Sequence, residues 1–401
     1  IRDSTYAAGN DKHRKEFAEE ADIISYSVDG SAFLERWEKH TGKLRTAYWG
    51  FDRDSLPLNG RMWLPDCDDP APVVLMVHGN HLDRAFSDEG YAYLGEHLAS
   101  HGYLAVSLDE NFLNSAATNI FSGMWAENDG RGWLMLKHLE FLDSLTRDSS
   151  SMCFGKADLD NVILIGHSRG GEAACIASSF NSLPYYPDNA EEEFSFAYGI
   201  KGVVAIAQVD GQYMPSNTGT PMENINYLLL HGSLDADLTS YSGFKQYNRV
   251  KFSDTLDHFK AGIYAEGANH GQFNTTWGDT DILYPKSLLI NHERMLEKVD
   301  QEQIALVFIT SFIKATIENK RDYWPLFKDP RLGKKWLPTT RFFHQFRSNK
   351  ERILADFDED INLQTTKCGA KVTFENLAKL HEKKNLIRYG NSGTKALVLG
   401  W

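Results

Sequence analysis

Residues 161–171 read NVILIGHSRGG and run directly into EAACIASSF. An apolar run passes into Gly166-His167-Ser168-Arg169-Gly170 and then into a helical pattern. A serine in a G-x-S-x-G turn between a buried strand and a helix is placed to act as a nucleophile. The turn is so tight that side chains two residues either side of the serine would clash, and Gly166 and Gly170 remove that clash. Ser168 then stands at a helix N-terminus, where the dipole and free N–H groups favour developing negative charge.

A serine hydroxyl is a weak nucleophile at neutral pH. It needs an imidazole to take its proton, and the imidazole needs a carboxylate to fix its tautomer. Tyr227–Asp235 reads YLLLHGSLD and Tyr264–Phe273 reads YAEGANHGQF, each an apolar run followed by a turn. The expected acid is Asp235 and the expected base is His270. Asp237, two residues further on, is the rival acid; the G-x-x-D spacing from Gly232 favours Asp235. Upstream, Val73–His81 reads VVLMVHGNH, an apolar strand ending in His78-Gly79. The Asn80 N–H is expected to form the oxyanion hole with that of Arg169, and Gly79 is the glycine of that loop. Asp109, Glu110, Asn111, Trp125 and Asp210–Tyr213 fall in strand-to-helix loops and are candidates for lining the cleft. The acidic run Asp356–Asp360 lacks the glycine and distal glutamate of a calcium loop, so it reads as a solvated face, and no metal site is expected.

These residues need a scaffold that presents strand ends side by side. Short Val/Ile/Leu runs recur at Val73–Val77, Tyr103–Leu108, Val162–Ile165, Val203–Ala207, Tyr227–Leu230 and Gly262–Ala265. Such runs, without polar alternation, suit strands buried on both faces. Helical patterns lie between them, at residues 87–100, at Met135, Leu139 and Leu142, and at Ile304, Phe308, Phe312 and Ala315. The alternation predicts an α/β fold, a mostly parallel sheet with helices on both faces. Residues 46–65 read as an antiparallel hairpin around the turn-rich Asp52–Gly60 stretch. The expected divisions are a wrapping segment (1–43), a catalytic domain (44–320) and a C-terminal extension (321–401), perceived as the start of a β-rich module.

Composition bounds the partners. The net charge of -13 argues against a nucleic-acid partner, whose phosphates need a basic surface. No apolar run is long enough to span a bilayer. The four cysteines are scattered with no C-x-x-C, which argues against a zinc cluster, and Cys175 reads as a buried thiol. The chain opens on Ile1 rather than Met; a removed export segment would account for that, and the compartment is left open.

The GHSRGG elbow, the HG loop and the order Ser168, Asp235, His270 resemble the α/β-hydrolase superfamily over about residues 44–320. Within it the chain resembles the branch of chlorophyllases, dienelactone hydrolases and platelet-activating-factor acetylhydrolases. The resemblance implies an α/β-hydrolase fold and a serine hydrolase that needs no cofactor and acts on a small-molecule ester through an acyl-enzyme. Three rivals stay open: a peptidase or amidase, an acyltransferase, and a non-catalytic binding protein. The presence of serine, acid, base and loop together argues against the last.

Overall fold

Runs that are apolar at every position become strands covered on both sides. The computed structural model describes residues 1–38, 40–116, 124, 127–282, 292–387 and 390–401. One ten-stranded sheet contains β1 (Arg2–Ala7), β2 (Ile23–Ile24), β3 (Asn59–Leu64), β4 (Ala71–Val77) and β5 (Leu104–Asp109). It continues with β6 (Ala157–His167), β7 (Ile200–Ile206), β8 (Asn226–Gly232), β9 (Phe259–Ala265) and β10 (Phe342–Ser348). The main helices are α1 (His40–Trp49), α2 (Ala92–Ser100), α3 (Asn128–Arg147), α4 (Arg169–Phe180), α5 (Lys298–Ile317) and the short α6 (Trp324–Lys328). Across the sheet the order is β10-β9-β8-β7-β6-β4-β5-β3-β1-β2. The strands from β9 to β5 are all parallel. Antiparallel β10 and β3 flank them. The chain is therefore α/β, with a mostly parallel central sheet.

Side chains of one strand serve opposite layers in turn, as the pleat requires. Val73, Leu75 and Val77 of β4 pack with Leu139 of α3 and Ile176 of α4. Val74 and Met76 pack in the other layer with Leu94 and Leu98 of α2 and Phe308 and Phe312 of α5. Both faces are dry, which is why no polar alternation shows in the sequence.

The hairpin expected over residues 46–65 does not form. Residues 40–49 are α1, and β3 pairs with β1 and β5 instead. The buried positions Gly42, Arg45 and Trp49 have helical spacing. Arg45 is buried because its guanidinium donates to the carbonyls of Phe112 and Asn114. A buried cation leaves no hydrophobic signal, so the helical period is hidden. Residues 1–43 also contribute β1 and β2 to the sheet, and α1 runs across residue 43.

Beyond residue 320, α6 sets Trp324 and Phe327 against Phe259 of β9, each with ring centroids 5.5 Å apart. The chain then lays β10 along β9 and ends in a hairpin of β11 (Lys379–Ile387) and β12 (Gly390–Gly400). Among the described residues no helix is long and apolar enough to cross a membrane.

Candidate active site

Strand β6 ends at His167 and α4 begins at Arg169, so Ser168 alone makes the turn. Its backbone sits at φ 59°, ψ -118°, a region that costs a non-glycine residue on the order of 1–3 kcal/mol. Three bonds hold the strained residue: its N–H donates to Ile206 O at 2.8 Å, and its carbonyl accepts from Gly171 N at 3.0 Å and Val209 N at 3.2 Å. A Cβ on Gly166 would lie 1.9 Å from Gly170 O, and one on Gly170 would lie 2.6 Å from Val77 O. Both positions exclude any larger residue.

The loop after β4 approaches this turn closely. A Cβ on Gly79 would lie 2.6 Å from Ser168 Cβ and 3.0 Å from the Arg169 backbone nitrogen. Asn80, half-buried, follows directly. Arg169 is the first residue of α4, among the N–H donors that a helix leaves to outside acceptors. Its side chain turns away from the turn, with Nη1 donating to Met124 O and Glu127 Oε1, both at 2.5 Å. His78 braces the loop: its Nε2 accepts from Glu110 N at 3.0 Å and its Nδ1 lies 2.8 Å from Gly79 O.

Strands β8 and β9 deliver the other two residues. Asp235, three residues past β8, receives His270 Nδ1 on Oδ2 at 2.8 Å and Leu238 N on Oδ1 at 2.6 Å. Both side chains are buried. Asp237, half-exposed, lies instead on the opposite side of the ring, with Oδ2 3.5 Å from Nε2. That buried Nε2 makes no hydrogen bond, so the Ser168 hydroxyl and the imidazole are not yet joined. Such bonds are often long in unliganded enzymes and tighten on the substrate.

The electrostatics separate the imidazoles around Ser168. Burial pulls the His270 pKa down, but the charge and hydrogen bond of Asp235, with the charges of Asp237 and Asp281, outweigh it and raise the pKa above the ordinary histidine value. Burial pushes the Asp235 carboxyl up, and His270 beside it more than reverses that, holding it low. Burial drives His78 down to about 3, aided by Arg131. It drives His81 down to about 4, aided by His270. His167 is likewise lowered, again chiefly by burial. Of these four rings, only His270 is basic enough to hold a proton near neutrality. Environments that push like groups apart are how acid–base roles are assigned.

His81 stacks on Trp277 at 5.1 Å, and Trp277 lies 4.4 Å from His167, whose ring is 4.9 Å from that of His270. This aromatic wall was not evident in the sequence, because its members come from the end of β6 and the segments after β4 and β9. Asp281, also unread in the sequence, bonds to the backbone of both the Asp235 and the His270 loops.

The candidate cleft liners fare differently. Asp109, Glu110 and Asn111 are buried and brace the interior: Asp109 lies 3.5 Å from Arg14, and Glu110 accepts from Arg131 at 3.1 Å. Asp210 pairs with Arg249, Gly211 and Gln212 donate their N–H groups to Glu172, and Tyr213 is buried. Asp109 and Glu110 brace the interior because the buried Arg14 and Arg131 meet them. Trp125 lies outside the described residues. Among the described residues no cluster of metal-ligating side chains occurs. The chain matches no known family model and no curated protein at a significant level.

Proposed function

We propose that this chain is a serine hydrolase of the α/β-hydrolase type, cleaving carboxylic esters of small molecules. The observation that carries the reading is the joint placement of three groups at the ends of parallel strands. They are a strained serine at a strand–helix turn, a glycine loop packed on its Cβ, and a buried Asp235–His270 hydrogen bond one loop away. A buried carboxylate on Nδ1 and a raised imidazole pKa are what a general base needs.

In this mechanism Ser168 Oγ attacks the ester carbonyl carbon while His270 Nε2 takes the hydroxyl proton. The carbonyl oxygen becomes an oxyanion, held by the N–H groups of Asn80 and Arg169. Collapse breaks the bond to the alkoxy oxygen, and His270 returns the proton to the departing alcohol. Water then attacks the acyl-serine, with His270 again taking and returning one proton, and the acid is released. Asp235 stays ionised and steadies the imidazolium throughout.

The test pairs a fluorophosphonate probe with p-nitrophenyl esters of graded chain length. The wild type should be labelled on Ser168 and turn over at least one ester. Ser168→Ala should lose both, with turnover down on the order of 10⁴–10⁶-fold. A Ser168→Ala variant with wild-type turnover would remove the proposal.

A further inference from the structure

The Asp281 carboxylate is the common acceptor for the two loops that carry acid and base. Its Oδ2 accepts the N–H of Ala236 at 2.9 Å and the N–H of His270 at 3.0 Å. Its Oδ1 accepts the N–H of Gly271 at 2.9 Å and Asn269 Nδ2 at 2.8 Å. Ala236 adjoins Asp235, so one side chain grips the acid's neighbour and the base's own amide. Closer to the strands, the loops are also stitched by Leu234 N to Ala268 O at 2.8 Å and Gly267 N to Ser233 Oγ at 2.9 Å. Asp281 supplies the tie at Ala236 and His270 themselves.

We propose that Asp281 is a positioning residue, locking the Asp235 loop onto the His270 loop so that the two side chains stay in register for proton transfer. The inference rests on the hydrolase reading above. The chemistry requires a carboxylate. Two oxygens offer about four acceptor sites, and four donors occupy them. An asparagine of the same shape would turn an NH₂ group onto two of those donors and lose both bonds. Charge-assisted bonds of this kind are roughly twice as strong as neutral ones.

Asp281 also belongs to the charge field of the imidazole. Asp235 faces His270 at Nδ1 and Asp237 faces it at Nε2, with Asp281 at its backbone. His81, His167 and His231 lie close by; burial lowers the pKa of each. Removing the Asp281 charge should make the His270 proton easier to lose.

The experiment compares the wild type with Asp281→Asn and Asp281→Glu in the full chain. It reads the His270 titration by NMR, assigned with His270→Ala, alongside kcat and KM on the best ester. Asp281→Asn should lower kcat about 100-fold, the usual effect of displacing a catalytic group by about 1 Å, while KM changes little. Its His270 titration should move to lower pH. Asp281→Glu keeps the charge but displaces it by a methylene, so kcat should fall while the titration stays near that of the wild type. If folded Asp281→Asn keeps both the wild-type kcat and the wild-type titration, Asp281 is a structural brace only and the proposal is overturned. Should Asp281→Asn fail to fold, wild-type kcat in Asp281→Glu overturns it. The titration needs no turnover, so a wild type that cleaves no ester would defeat the hydrolase reading alone; with an active wild type, unchanged kcat and titration in Asp281→Asn would defeat this proposal alone.

Discussion

Replacing Gly79 with alanine tests the proposed oxyanion loop with a single methyl group. The added Cβ would lie 2.6 Å from Ser168 Cβ, 2.7 Å from His167 O and 3.0 Å from the Arg169 nitrogen. Carbon atoms settle at about 3.5–4.0 Å, so the loop and the elbow must part by roughly 1 Å. The elbow cannot yield, because Gly166 and Gly170 already hold it at backbone contact. The loop must move instead, against the His78 brace, and it carries the Asn80 N–H with it. Loss of one oxyanion donor costs about 10²–10³ in kcat, roughly 2.7–4 kcal/mol of transition-state stabilisation. The strain itself should cost about 1–3 kcal/mol of stability, as overpacking usually does. The assay is kcat on the preferred ester, measured beside a urea melt so that turnover is compared between folded populations. Fluorophosphonate labelling should slow in parallel, since it passes through the same oxyanion. If folded Gly79→Ala retains kcat within a few-fold of wild type, the loop after β4 does not serve the reaction, and the oxyanion assignment is wrong.

Asp235→Asn should reduce kcat by about 10⁴, the scale seen when a triad carboxylate is neutralised, while Asp237→Asn should keep most of the turnover; the reverse ranking in a side-by-side assay would exchange their roles. In the proposed mechanism His270 must be neutral to accept the serine proton, and its pKa is raised above the ordinary 6.5. The acid limb of kcat/KM should therefore fall away as pH drops through a value above 6.5, and Asp235→Asn should shift that limb to lower pH; a wild-type limb at or below 6.5 contradicts the charge field described for His270. Phe327 is fully buried against Phe259 and Phe308. Phe327→Ala should cost about 3–5 kcal/mol in a urea melt, and an unchanged midpoint would show that α6 is not docked as described.

The central strands were legible because a strand covered on both faces must be apolar at every position, as Val73–Val77 is. The serine turn was legible because only glycine fits at residues 166 and 170. Elements held by polar contacts were not legible. Arg45 hides the period of α1 because it is buried through hydrogen bonds rather than apolarity. The sequence RDSTYA of β1 offers little apolar signal, since the strand is recruited by pairing with β3 near one edge of the sheet. Asp281 is invisible for a related reason: three of its four partners are backbone N–H groups, which every residue but proline carries.

Strand β10 covers the outer edge of β9, the strand before the His270 loop, and it comes from residues 342–348. On the ribosome, β9 and the base loop emerge well before that outer neighbour exists. At roughly 5–20 residues per second, the nascent chain carries every proposed catalytic side chain for several seconds while β9 still has an open edge. An open edge is a template for pairing with other chains. The aromatic rings of Trp324 and Phe327, which cover Phe259, arrive in the same interval. A chain halted between residues 274 and 341 would thus hold Ser168, Asp235 and His270 and still be sticky and unfinished. The proposed chemistry is written before the strand that covers the edge of β9.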